Sequence, residues 1–339
     1  MDSVFETIKN ILTSSRLPAY DVFFQLLNDA SECLENEKTN YRPQNSSGEI
    51  GGLLDFHSDD IPLIVIPDLH ARPYFLMNIL EYKIFDDMNV FEALSAGRVR
   101  LLSLGDILHT ERDTRKRWAA AAAEFASGIF TGPALSAEMQ EGLCLLAGLL
   151  KLKIAFPSYV HILKGNHENI LNATGNGDFA FRKFADEGEM GMVFVQDYYG
   201  DDILYLINCV EKSLPLVCFG KRCVVSHAEP QRTYSRDELV NARITEGIVE
   251  GLTWTDNGVA EEGSAENTVR ELCSASGVKE CEAENFVYLG GHRPVTGNYR
   301  LLQDGKYIQI HNPGKQNIAL VQPDRKFNPD TDIIEIAKK

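Results

Sequence analysis

Five short apolar runs in this chain end in residues of the types that hold metal ions. The run 61–66 leads into Pro67-Asp68-Leu69-His70, and 99–104 into Gly105-Asp106. The run 159–163 leads into Gly165-Asn166-His167-Glu168, 223–225 into Ser226-His227, and 286–289 into Gly290-Gly291-His292. Carboxylate and amide oxygens mixed with imidazole, and no cysteine, suit manganese, iron or zinc at a reactive centre rather than a structural zinc site. Two such cations about 3.5–4 Å apart need a carboxylate that bridges them. Asp106, on a tight turn after a central run, is the natural bridge. Each motif alone has an ordinary explanation: Asp-x-His arises by chance, Gly-Asp marks a turn, and a lone Ser-His is a polar strand end. The order and placement of all five together point to a metal site. His57 and His161 lack that context and read as structural.

The elements that must position these residues are visible in the texture of the chain. Runs of this length and β-branched content predict buried strands. In α/β sheets ligands gather beyond the carboxyl ends of the strands, so the five ends can converge in one crevice. Glycines at three of them permit sharp turns and close approach. A further strand is predicted at 203–207, and late strands at 299–302, 307–311 and 318–321. Two helices open the chain. The second, 20–35, places Phe23, Leu26, Leu27, Ala30 and Leu34 on one face. Helical stretches at about 112–127 and 136–152 form an insertion that has room to act as a lid. The resulting division is a helical extension and linker over 1–55, a main domain over 56–325 with the insertion at about 110–157, and a charged peripheral tail over 326–339.

Composition narrows the function. Over 339 residues the formal net charge is −16, which repels nucleic-acid backbones from most of the surface. The seven cysteines are odd in number and scattered, with no Cys-x-x-Cys pair, as in a reducing compartment. The start lacks the apolar segment of a signal peptide, and no apolar run approaches membrane-spanning length. The expectation is a soluble cytoplasmic enzyme with neither a nucleic-acid nor a membrane partner.

The motif series resembles the calcineurin-like metallophosphoesterases, and within them the Ser/Thr phosphoprotein phosphatase branch and its bacterial relatives. The family's D-x-H-G, G-D, G-N-H-E, H-G or H-A, and G-H correspond to Asp68-Leu69-His70-Ala71, Gly105-Asp106, Gly165-Asn166-His167-Glu168, His227-Ala228 and Gly291-His292. Leu214-Pro215-Leu216 and Leu252-Thr253-Trp254-Thr255-Asp256 also resemble that branch, and the likeness spans 61–321. Pro294 stands where another branch has a second histidine.

The resemblance implies an α/β fold, a four-layer α/β/β/α sandwich with a dinuclear site at one edge. Asp68, His70 and Asp106 would hold one metal; Asp106, Asn166, His227 and His292 would hold the other. The metals would be two divalent ions, manganese first, with iron or zinc as alternatives. A hydroxide bridging them would attack a phosphate ester directly, and His167 would protonate the leaving group as general acid. The substrate would be a phosphoprotein. The alternatives are a nucleotide or dinucleoside polyphosphate, whose base could stack on Tyr198, Tyr199 or Tyr234, and a scaffold that keeps the fold without turnover. Where that branch reads G-D-x-x-D-R-G, this chain has His109 in place of the aspartate and Thr110 in place of the arginine. His109 is therefore assigned to the substrate side beside His167, with Glu111 or Asp113 as other sources of the missing charge. Arg270 and Arg112 are the candidates for gripping phosphate.

Overall fold

Alternation along the strands decides how the layers stack. The computed structural model describes residues 2–85, 87–111 and 115–336. Its strands are β1 (Leu53–Asp55), β2 (Leu63–Ile66), β3 (Lys83–Phe85), β4 (Met88–Asn89), β5 (Arg100–Ser103), β6 (Val160–Ile162), β7 (Val217–Phe219), β8 (Cys223–Ser226), β9 (Val287–Gly290), β10 (Arg300–Leu302), β11 (Tyr307–Gln309), β12 (Asn317–Val321) and β13 (Ile333–Glu335). They form a six-stranded sheet in the order β1-β7-β8-β9-β11-β10, a five-stranded sheet in the order β13-β12-β2-β5-β6, and a separate β3-β4 hairpin.

In β2, Leu63 and Val65 point between the two sheets, where they meet Leu102, Val225, Leu289 and Ile308. Ile64 and Ile66 point the other way, into a core shared with helices. That core draws Leu12 from Asp2–Leu12, Phe23 from Tyr20–Glu35, Leu145 from Pro133–Ala155 and Ile207 from Asp201–Ser213. The far face of the other sheet packs Val217, Val224 and Tyr288 on Leu239, Leu252 and Leu272. Three apolar interfaces between four layers make the expected α/β/β/α sandwich, each buried aliphatic side chain contributing about 1.5–3 kcal/mol.

Four details differ from the sequence reading. Residues 203–207 are helical, within Asp201–Ser213; Ile203, Leu204, Ile207 and Val210 are buried at helical spacing. β1 falls inside the stretch assigned to the extension yet pairs in parallel with β7. The charged tail supplies β13, antiparallel to β12, and sends Phe327 and Ile333 into the layer between the sheets. Strands of three residues are too short to show periodicity. The insertion contains the two predicted helices, Arg115–Ala126 and Pro133–Ala155, but the second is no lid. It buries Leu143, Leu145, Leu149 and Leu152 as the crossover between the parallel strands β5 and β6. No helix among the described residues is long and apolar enough to cross a membrane.

Candidate metal centre

Parallel pairing of β2 with β5 and β5 with β6, and of β8 with β9 and β9 with β11, brings six strand ends from two sheets together. The loops beyond them continue the ladders. His70 N–H donates to the Asp106 carbonyl at 2.7 Å, and Gly291 N–H to the His227 carbonyl at 2.7 Å. The chain turns sharply at these ends: φ is +41° at His70, +49° at Asp106 and +65° at His292. Left-handed conformations cost non-glycine residues about 1–2 kcal/mol each, and such strain clusters where surrounding structure fixes a functional geometry. Two glycines are required by proximity. A Cβ on Gly291 would lie 1.9 Å from Asp68 Oδ1, and one on Gly165 would lie 2.3 Å from Asp106 Oδ1.

One oxygen sits at the middle of the cluster. Asp106 Oδ2 is 3.6 Å from His70 Nε2, 3.5 Å from His227 Nε2 and 3.7 Å from His167 Nε2. Asn166 Oδ1 is 3.0 Å from both His227 Nε2 and His292 Nδ1. Asp68 Oδ2 accepts from the backbone N–H of His292 at 2.8 Å and lies 4.0 Å from His70 Nε2. All six predicted ligands are buried, and the structure brings all six together. The tautomers are set from behind. His70 Nδ1 faces the His109 carbonyl at 3.1 Å, and His227 Nδ1 faces the Leu104 carbonyl at 2.9 Å. A carbonyl can only accept, so both Nδ1 atoms carry the proton and both Nε2 lone pairs face the centre.

The centre is electrostatically unbalanced without cations. Burial, then the nearby Asp68 and Glu168 carboxylates, push the Asp106 carboxyl well above its ordinary range. Asp68 Oδ1, His70 Nε2 and His311 Nδ1 are buried with no hydrogen-bond partner. Orphaned lone pairs of this kind are costly in a protein interior, and divalent cations would satisfy them. The donor set fits the two expected ions.

Three residues that the sequence reading gave no such role also belong here. His311, at the end of β11, is fully buried with Nδ1 3.8 Å from Asp68 Oδ2. Asp68, His70 and His311 form a group whose ligand atoms lie within 4.8 Å of one another. The signal was present, since the run 307–311 ends in histidine as the others end in ligands. Glu111 lies 3.5 Å from His70 Nε2 and 3.3 Å from His311 Nε2; it faces these rings rather than His167. Glu168 accepts from the N–H groups of Asp106, Ile107 and Gly165 at 2.8, 2.9 and 2.7 Å, clamping two ligand loops with one carboxylate.

His167 donates its backbone N–H to Asp106 Oδ1 at 2.9 Å, and its ring packs on Phe181 with centroids 3.6 Å apart. Burial, reinforced by the neighbouring His70 and His109 rings, holds its pKa well below the ordinary imidazole value. His109 does not serve as its hydrogen-bonding substitute for aspartate. The two ring centroids are 5.5 Å apart, neither His109 nitrogen hydrogen-bonds to His167, and burial pushes His109 down to about 4. His109 instead packs, buried, among Trp118, Phe181 and His167. The Thr110 hydroxyl donates to Glu138.

The phosphate grip expected at Arg270 is not formed either. Arg270 is exposed on the helix Ser264–Ala275 and pairs with Glu266 at 2.9 Å. It shares a shallow pocket with Phe286 and Lys306, at the opposite ends of β9 and β11 from the metal centre. An i,i+4 partner on its own helix accounts for it. Arg112 and Asp113 lie outside the described residues. Tyr199 and Tyr234 are buried in the cores, and Tyr198 is exposed on the helix Glu187–Tyr199; none faces the cluster. Among the described residues, cations beside the centre include Arg72, which donates to the Leu69 carbonyl at 2.9 Å, Lys183, paired with Glu111, and Arg293, paired with Asp256. Asp256 in turn lies 3.8 Å from His292 Nε2.

No protein-family model matches the sequence. No curated protein matches it either. Among solved structures, a protein serine/threonine phosphatase from Saccharomyces cerevisiae superimposes with a TM-score of 0.55 at 15% identity, over 94% of this chain and 89% of that one. A cold-active protein tyrosine phosphatase of a Shewanella species aligns more loosely, with a TM-score of 0.37 at 13% identity, over 84% of this chain and 82% of that one. With its two facing sheets flanked by helices, this chain has the fold of the calcineurin-like metallophosphoesterases, the family its motifs resemble.

Proposed function

We propose that the protein is a dinuclear metal-dependent phosphoesterase that hydrolyses phosphate monoesters. The observation that carries this reading is the shared carboxylate oxygen, Asp106 Oδ2, lying 3.6 and 3.5 Å from the lone pairs of His70 and His227 on two different sheets. Asp68, His70 and Asp106 would hold one ion; Asp106, Asn166, His227 and His292 would hold the other. Two divalent ions, manganese with iron or zinc as alternatives, supply Lewis acidity at phosphorus and a nucleophile at neutral pH.

The chain's own residues do the rest. Asp106 is fixed by Glu168 through its backbone, so its side chain stays aimed between the two sets. His167 delivers a proton to the departing oxygen, a role worth about 10²–10⁴-fold. A phosphate dianion beside the ring favours its imidazolium form, because a nearby negative charge stabilises the cation. Phe181 covers one face of the ring and limits its access to water. Lys183 and Arg293 are placed to attract the anionic substrate. A phosphoprotein is the substrate class that the motif series favours. The scattered cysteines, with Cys144, Cys218, Cys223 and Cys273 buried as thiols, suit the reducing cytoplasm.

The test is a panel of aryl phosphate, phosphopeptides, nucleotides and dinucleoside polyphosphates, each with manganese and with chelator. Metal-dependent turnover of aryl phosphate and phosphopeptides is expected. No turnover of any ester in the presence of metal would overturn the reading.

A further inference from the structure

We propose that Glu111 and His311 are additional metal ligands that complete the Asp68–His70 site, making it richer in protein ligands than the Asn166–His227–His292 site. The inference rests on the dinuclear reading above and extends it to residues outside the five motifs.

His311 is fully buried, and its Nδ1, 3.8 Å from Asp68 Oδ2, has no hydrogen-bond partner. His70 Nε2 is likewise unpartnered and turned to the same point. Glu111 closes the set from the other side. Its Oε1 lies 3.5 Å from His70 Nε2, while its Oε2 lies 3.3 Å from His311 Nε2. The arrangement is self-consistent. One Glu111 oxygen accepts the Nε2 proton of His311 and so fixes the tautomer that leaves Nδ1 as a lone pair. The other oxygen is left to face the ion. Asp68, His70, Asp106, His311 and Glu111 then offer five protein ligands, three of them carboxylates, whereas the second site has Asp106, Asn166, His227 and His292. More ligands and more negative charge make the first site the tighter one, so it fills first. Lys183 pairs with the same Oε1 that faces His70, and it competes with the ion for that oxygen.

Manganese binding is measured by calorimetry on the full chain after chelator stripping, for wild type, Glu111→Gln, His311→Asn and Lys183→Met. Wild type binds two equivalents of unequal affinity. Glu111→Gln and His311→Asn each weaken the tighter equivalent by at least about tenfold and leave the other unchanged. Glutamine keeps an acceptor for His311 but loses the anionic oxygen, so unchanged affinity in Glu111→Gln would reduce Glu111 to an orienting role and overturn its place as a ligand. Lys183→Met tightens the first equivalent; weakening there would contradict the competition. Should Glu111→Gln not fold, as judged by circular dichroism, Glu111→Asp provides the same comparison with the charge retained on a shorter arm, and wild-type affinity there would count against the proposal. A wild-type chain that binds two ions and hydrolyses aryl phosphate, with both ligand variants binding equally well, would overturn this inference alone. A wild-type chain that binds none would overturn it together with the dinuclear reading.

Discussion

Glu168 holds Asp106 by the backbone: Oε2 accepts the Asp106 N–H at 2.8 Å and the Gly165 N–H at 2.7 Å, while Oε1 accepts the Ile107 N–H at 2.9 Å. The side chain at the middle of the metal centre is therefore aimed by a residue that does not itself reach the centre. Glu168→Gln replaces one accepting oxygen with an NH₂ group facing backbone donors. Hydrogen bonds to charged groups contribute about 1.5–3 kcal/mol each, so a loss of about 3 kcal/mol is expected in urea unfolding at pH 7. A loss below about 1 kcal/mol would mean that the clamp is dispensable.

Gly291 makes a sharper point about space. Its absent side chain leaves room for Asp68, whose Oδ1 would lie 1.9 Å from a Cβ. Gly291→Ala should displace that carboxylate, lower the affinity of the first metal site and cost about 1–3 kcal/mol of stability through overpacking. Unchanged manganese affinity would show that Asp68 is not placed by this contact.

His167 is assigned to the leaving group and not to a metal. His167→Gln should keep the metal content and lower kcat, more for alkyl phosphates than for activated aryl phosphates, because only the former need a proton. Equal losses on both would remove the general-acid role.

Away from the centre, Glu211 is buried and accepts the Ile170 N–H at 2.8 Å. Burial, despite Lys164 nearby, raises its pKa from the ordinary 4.5 to about 8. The native state then holds more protons than the unfolded chain between these values. Its stabilising share is complete below the unfolded pKa and is lost as pH rises through about 8. Thermal melts from pH 5 to 9 should show Glu211→Gln gaining on wild type as pH rises, with the curves closest at pH 5. Parallel curves across that range would mean that Glu211 titrates normally.

The sequence made part of this legible and hid the rest for physical reasons. Asp68, Asp106, Asn166, His227 and His292 each follow a short apolar run and a turn, so a strand-end rule finds them. His311 obeys the same rule but is the last residue of its own run, where it reads as part of the strand. Glu111 lies in a stretch where attention falls on His109 and Thr110, the positions that depart from the phosphatase motif. The role of Glu168 depends on three backbone N–H groups from two loops, and no local pattern encodes that. Arg270 sits near a family position in sequence, yet helix geometry gives it Glu266 instead. The run 203–207 is apolar enough for a strand, but Val210 and the helix after Gly200 settle it otherwise.

The dinuclear centre stands most directly on the shared carboxylate of Asp106. Elemental analysis of the full chain, stripped, reloaded with manganese and freed of excess, should give two equivalents per chain for wild type. Asp106→Asn, folded by circular dichroism, should retain less than one. Two equivalents retained by Asp106→Asn, or none by wild type, would contradict the dinuclear centre.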